Sequence, residues 1–205
     1  MDSAEFKDIV ISVLAISIAF TLALSDGIFG LRRLLLDAVA MRFIVALVTV
    51  GFGFVLHELA HRFMARKYGH YAAYQAWPMG LQLALITSLF GFVFAAPGAT
   101  VIYAHYLSRR EHGVISVIGP LTNVALAFLF VAALPIYLLL LPIELATLIF
   151  AYGYQINLWL AFFNLLPFGP LDGKKVMAWN STLWLTLIVS IFLLLFVFPL
   201  PLLFL

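Results

Sequence analysis

The chain has 205 residues, 65% of them hydrophobic and only 10% charged, with a formal net charge of +2 and no cysteine. Soluble domains are near half apolar and a quarter charged, so this is a membrane composition, and the few basic residues sit at segment ends, which argues against a nucleic-acid partner. Without cysteine there is no disulfide framework and no thiolate metal site, so any metal must be held by the five His and nine acidic residues.

Residues 9–25 form an uncharged run of 17 between Asp8 and Asp26, at the short end of what a spanning helix needs. Its flank carries Asp2, Glu5 and Asp8 against Lys7, which does not suit a secretory signal, so it is read as the first span. Residues 27–37 form a connection with Arg32 and Arg33. A second helix is expected over about 38–66, ending on Arg62, Arg66 and Lys67.

Between 68 and 107 the chain is interrupted by Gly80, Gly91 and Pro97-Gly98. Gln82 to Leu85 and Ala99 to Tyr103 read as strands, so a small β-hairpin or re-entrant element is expected, with one short span at 80–96 as the alternative. Ser108-Arg109-Arg110-Glu111 has the form of a capping box and opens a helix over about 109–134. Pro135 and Pro142 bracket a turn. The uncharged run 145–171 gives a fourth helix, expected to about 166, broken by Pro167, Gly169, Pro170 and Gly173. A fifth span fits 182–198 after Asn180 or Ser181 as cap, and Pro199 and Pro201 end it; Leu202 to Leu205 would begin a sixth. The fold class that follows is an all-α polytopic membrane protein in a lipid bilayer. It has five to six transmembrane helices and a small membrane-associated β element between helices 2 and 3, in a single core domain over 1–205.

Lys7, Arg62, Arg66, Lys67, Arg109, Arg110, Lys174 and Lys175 fall on the N-terminal side of such a chain, and Arg32, Arg33 and Arg42 on the other. The excess of positive charge places the N-terminus in the cytoplasm. His57 precedes Arg66 by nine residues, which puts it roughly 14 Å below that end of its helix. Any site there lies within the bilayer, nearer the cytoplasmic side of the cell membrane.

His57-Glu58-Leu59-Ala60-His61 is an H-E-x-x-H motif. In a helix the two imidazoles, four residues apart, share one face and can reach one Zn²⁺, with Glu58 beside them as a base for the attacking water. No charge occurs from Phe43 to Leu56, and ionisable groups at the end of such a run need a reason. A catalytic zinc needs a third protein ligand and an open position. Beyond His61 the acids are Glu111, Glu144 and Asp172. Glu111 has a local role in the capping box, and Glu144 falls in the turn on the opposite side. Asp172 follows the broken helix end Asn164 to Gly173, at the depth of the two His, where irregular backbone is tolerated only if it lines protein or a cavity. A His57, His61, Asp172 set holding one zinc per chain is the expectation. His70, His105 and His112 lie at element ends in water or the headgroup zone. Asn123 has two readings, a helix–helix hydrogen bond or a group in the cleft that binds substrate or an oxyanion. Gln155 and Asn157 read as packing or lining residues.

Together, His57 to His61, Gly119-Pro120-Leu121-Thr122-Asn123, and Asn164-Leu165-Leu166-Pro167 followed by Asp172-Gly173 make the chain resemble the site-2 protease family of intramembrane zinc metalloproteases. The resemblance spans residues 57–173. It implies that His57, His61 and Asp172 ligate zinc, that Glu58 is the catalytic acid and base, and that Asn123 and Asn164 hold substrate or shape the site. It also implies a membrane-protein substrate cut within a transmembrane helix. Similar cores often have six spans, and 205 residues leave no room for a PDZ- or CBS-like insertion. The alternative function is a membrane zinc-binding or zinc-transport protein without proteolytic activity, which would not need Glu58.

Overall fold

The computed structural model describes residues 2–94 and 97–197. Among the described residues, four helices are long and apolar enough to cross a membrane: Ser3–Ala23 (α1), Leu36–Lys67, Arg109–Ala132 (α6) and Ile143–Asn164 (α8). The second of these is a continuous run of Leu36–Ala46 (α3), a π-helical turn Leu47–Gly51, and Phe52–Lys67 (α4). A shorter apolar helix, Ser181–Val197, combines Ser181–Phe192 (α10) with a second π-turn. A two-stranded sheet of Tyr71–Ala76 (β1) and Gly98–Tyr103 (β2) completes the class expected, an all-α polytopic membrane protein with a small β element. Pro199, Pro201 and the expected beginning of a sixth helix at Leu202 to Leu205 lie outside the described residues.

The chain divides into two compact units, Met1–Val55 with Ala73–Val101, and Leu56–Ala72 with Ile102–Leu205. In the first, α1 begins six residues before the uncharged run, because the Asp2 side chain accepts from Glu5 N–H at 2.7 Å and caps the helix. The early start brings two carboxylates into the helix, one turn apart. Glu5 accepts from Tyr74 N–H at 3.1 Å and Asp8 from Ala76 N–H at 3.0 Å, so α1 satisfies donors that β1 would otherwise leave open. Higher on the same face, Tyr74 Oη donates within reach of Ser12 Oγ (2.8 Å) and the Pro97 carbonyl (3.2 Å). Small buried side chains, Ser12, Ser17, Ala19, Ala46 and Thr49, line the helices of this unit. A Cβ on Gly51 would stand 3.1 Å from Ser17 Oγ and 3.2 Å from Val13, so the π-turn and α1 are in close approach. Small residues are how helices pack in lipid, where apolar burial gives no driving force.

Gln82 to Leu85 are not a strand. They lie in Pro78–Ser88 (α5), because Pro78 takes the first helical position and Gln, Leu and Ala carry no β-branch to oppose a helix. The strand that precedes α5 is β1, and Trp77 N–H donating to the Pro97 carbonyl ties the end of β1 to the start of β2. Residues 27–37 are not all connection, since Gly27–Leu31 (α2) is a short helix.

In the second unit, Ser108 and Glu111 form the capping box that opens α6. Pro135 does not bracket a turn. It lies in the first turn of Leu134–Leu140 (α7), where its missing N–H costs nothing, and Pro142 caps α8, so Glu144 sits in a helical first turn. Helices α6 and α8 approach closely enough that a Cβ on Gly153 would strike the Phe130 ring. After α8 comes an unanticipated helix, Asp172–Trp179 (α9). It packs tightly at both ends: a Cβ on Gly173 would meet the Leu165 carbonyl, and one on Gly113 the Trp179 side chain. Leu165 also accepts from Trp184 Nε1 at 2.7 Å, and Ala127, Tyr154, Leu158, Ala161, Leu165 and Ile191 form the buried core here.

Replacing Tyr74 with Phe keeps the ring and removes its hydroxyl bonds to Ser12 and Pro97. A loss of about 1 kcal/mol is expected, seen as a thermal midpoint lower by about 2–4 °C in detergent. An unchanged midpoint means that these bonds do not hold β1.

Candidate metal centre

His57 and His61 lie on α4 one turn apart and Asp172 is the first residue of α9, all three buried. Their donor atoms converge. His57 Nε2 is 3.0 Å from His61 Nε2, and Asp172 Oδ2 is 3.3 Å from the first and 3.0 Å from the second. Among the described residues this is the one cluster of three or more such side chains able to hold a metal ion.

The protonation of the two rings follows from their far sides. His61 Nδ1 is 2.7 Å from the Ile115 carbonyl, which only accepts, so Nδ1 carries the hydrogen and Nε2 a lone pair. His57 Nδ1 is 2.5 Å from Asn123 Oδ1 and donates to it, leaving its Nε2 bare as well. With both rings neutral, two lone pairs and a carboxylate oxygen face one another, a donor set that one shared cation would satisfy. Donors about 2.0–2.1 Å from one tetrahedral zinc lie roughly 3.3–3.4 Å apart. The observed triangle, 3.0 to 3.3 Å on a side, fits such an ion.

The chain is 45% identical over 181 residues, 88% of its length and 86% of the relative's, to "Putative zinc metalloprotease MJ0611" of Methanocaldococcus jannaschii. The chain belongs to this family of zinc metalloproteases. Over 147 residues, 63% of the chain and 65% of the relative, it is 31% identical to "Putative zinc metalloprotease YwhC" of Bacillus subtilis. No family model and no solved structure matches it. Family and donor set agree on the cofactor, which is zinc.

Other parts of this zinc metalloprotease are arranged around the three donors. Asp172 stands at the N-terminus of α9, where the helix dipole favours a negative side chain. Its second oxygen, Oδ1, is 3.5 Å from Lys175 Nζ, so its two oxygens are divided between the imidazoles and a lysine. Gly119 on α6 abuts the donors themselves, since a Cβ there would strike Nε2 of both His57 and His61. Pro120 follows inside the helix and removes one backbone hydrogen bond, in the turn that also carries the Ile115 carbonyl.

The sequence-derived residues divide clearly. His57, His61 and Asp172 come together, Asn123 touches His57 from behind, and Glu58 is half-buried on the same helix, close enough to act electrostatically on His61. Asn123 is fully buried and bonded to a ligand-type His. Asn164 instead donates from Nδ2 to the Leu160 carbonyl, one turn back on its own helix, and makes no hydrogen bond to the donor set among the described residues. His70 pairs with Glu111 at 3.7 Å, away from the donors. Sequence reading did not find Ile115 or Lys175 as parts of the site, and met Gly119 only as the start of the Gly119-to-Asn123 motif, with no role of its own. A glycine and a proline side by side within an apolar helix was the available signal for Gly119.

Gly119→Ala should weaken zinc binding by about tenfold or more, because both rings are fixed by their Nδ1 bonds and cannot withdraw from the new methyl. Metal analysis after dialysis against a chelator checks this. Retention of wild-type zinc by the variant would place Gly119 off the donor face.

Proposed function

We propose that this protein is an intramembrane zinc metalloprotease of the site-2 type, cutting peptide bonds within transmembrane segments of other membrane proteins in regulated proteolysis. One observation carries the reading: the His57, His61, Asp172 donor triangle draws two of its members from a helix long and apolar enough to span a bilayer. In this reading the N-terminus is cytoplasmic and the site lies within the bilayer nearer that side, in keeping with the basic residues at the end of α4.

The ligands are His57, His61 and Asp172, with a position left open toward the substrate. A zinc ion held there would supply Lewis-acid polarisation of the peptide carbonyl and would make a bound water more acidic. Glu58 takes the proton from the attacking water onto its carboxylate and later gives it to the departing amine. Lys175 holds the outer oxygen of Asp172, so one oxygen is offered to the metal. Asn164, at the end of α8 just before the break that leads to α9, shapes the entrance for the substrate backbone. A substrate helix must unwind locally, because its hydrogen-bonded carbonyls are closed to attack.

Glu58→Gln should lower cleavage of a transmembrane substrate in proteoliposomes by about 10²- to 10⁴-fold while the chain still binds zinc. Normal processing by this variant removes Glu58 from the acid–base role, whereas a wild type that binds zinc but cleaves nothing would leave a zinc-binding or zinc-transport protein. Asp172→Ala should lose zinc as well as activity, and unchanged zinc content removes the third ligand.

Stiffening a cleaved substrate helix with Leu and Ala should slow its turnover, with helix-breaking residues near the cleaved bond restoring it. Equal rates for stiff and broken helices would count against cleavage of a locally unwound segment.

A further inference from the structure

His57 is oriented from a helix it does not belong to. Its Nδ1 donates to Asn123 Oδ1 on α6; Asn123 Nδ2 donates to Asn157 Oδ1 on α8 at 3.0 Å; Asn157 Nδ2 donates to the Gly153 carbonyl one turn back at 2.9 Å. Both amides are fully buried, at 0% exposure, so bulk water does not compete for these partners.

The order of donors and acceptors in this chain has one sense. A backbone carbonyl only accepts, so the Gly153 carbonyl draws the NH₂ of Asn157 to itself and turns Oδ1 toward α6. An acceptor at that point draws the NH₂ of Asn123, which turns Asn123 Oδ1 toward His57. An acceptor against His57 draws its hydrogen to Nδ1 and leaves Nε2 free. Were Asn157 replaced by a group that does not accept, the NH₂ of Asn123 would lose its acceptor on α8, which favours the flipped amide with NH₂ toward the ring. His57 would then answer with a lone pair on Nδ1 and a hydrogen on Nε2, and an Nε2 that carries hydrogen cannot bind a metal. A close approach makes the relay possible: Gly153, without a side chain, lets α8 meet Phe130 of α6.

We propose that Asn157 is a positioning residue of the metal centre, which sets the tautomer and ring plane of His57 through Asn123. This rests on His57 being a ligand. Asn157 makes no hydrogen bond to the donor set among the described residues, and its effect on His57 is carried by the polarity of the amide between them.

The test reads zinc affinity, by chelator competition on the full chain in detergent, together with the visible spectrum of the cobalt-loaded protein. Asn157→Leu keeps the size and removes the acceptor, and should weaken zinc about 10- to 100-fold and change the cobalt spectrum. Asn157→Asp should stay within about threefold of wild type, since a buried, protonated carboxyl reproduces the donor and acceptor of the amide. The decisive comparison uses Asn123→Asp, which accepts from His57 in either orientation and so no longer needs instruction from α8. In that background Asn157→Leu should cost less than about threefold. An equal penalty in both backgrounds assigns Asn157 to helix packing alone and overturns the proposal, as does wild-type affinity in the single Leu variant.

If the variants do not fold, ¹⁵N-histidine spectra of the metal-free wild type decide: His57 should be the Nδ1–H tautomer, and an Nε2–H tautomer refutes the relay. Failure of the site reading looks different. There, His57→Ala binds zinc as tightly as wild type, whatever residue 157 is.

Discussion

Three electron-pair donors aimed at one another inside a protein are an unstable arrangement, and the rest of the site depends on how it is resolved. His57 Nε2, His61 Nε2 and Asp172 Oδ2 stand within 3.3 Å of one another, each with its negative end inward. In water such groups would turn away or take up a proton. Here the far nitrogen of each ring is already committed, to Asn123 on one side and the Ile115 carbonyl on the other. The rings are therefore held with Nε2 inward by their second partners, which would spare a divalent cation the cost of orienting them.

The carboxylate member illustrates the same economy of charge. A buried carboxylate is costly unless several positive partners share it. Asp172 has the amide end of α9 and Lys175 at its outer oxygen, and its inner oxygen would be shared with a metal ion held by the two imidazoles. That explains why the third donor lies on a short helix just after a broken one. The break at Pro167 to Pro170 ends α8 and lets a new helix start at Asp172, beside the two imidazoles. A donor carried along a continuous spanning helix would have had no such end beside it.

Much of the fold was legible because it depends on local chemistry. Spans follow from uncharged length, and the Ser108 and Asn180 caps from side chains that bond N–H groups three residues away. The H-E-x-x-H pair is legible for the same reason, since four residues in a helix is a fixed offset. What failed locally was the middle segment: Gln82 to Leu85 are neutral enough to be strand or helix, and Pro78, just ahead, decides for the helix. β1 was not anticipated because its donors are satisfied by Glu5 and Asp8, some seventy residues earlier in the chain. In the site, elimination led to Asp172, whereas Gly119, Lys175 and the Ile115 carbonyl enter only when α4, α6 and α9 are brought together. Asn157 read as a packing residue because its sequence neighbours are apolar, and only its partner across the helix interface distinguishes it from one.

Lipid explains why polar side chains hold so much of this second unit. Apolar burial between helices adds little when the solvent is itself hydrocarbon, so specificity comes from small residues that allow contact and from polar groups that must find partners. Gly113, Gly119, Gly153 and Gly173 each stand where a methyl would collide with a neighbouring element. The contacts they permit bring Asn157 to Asn123, Asn123 to His57, and α9 to the end of α8. In a soluble enzyme the same ring could be oriented by a water or a mobile surface carboxylate. At a fully buried position between spanning helices neither is at hand, and an amide whose sense is fixed by a backbone carbonyl is a neutral group that can do the same work without adding a second buried charge beside Asp172.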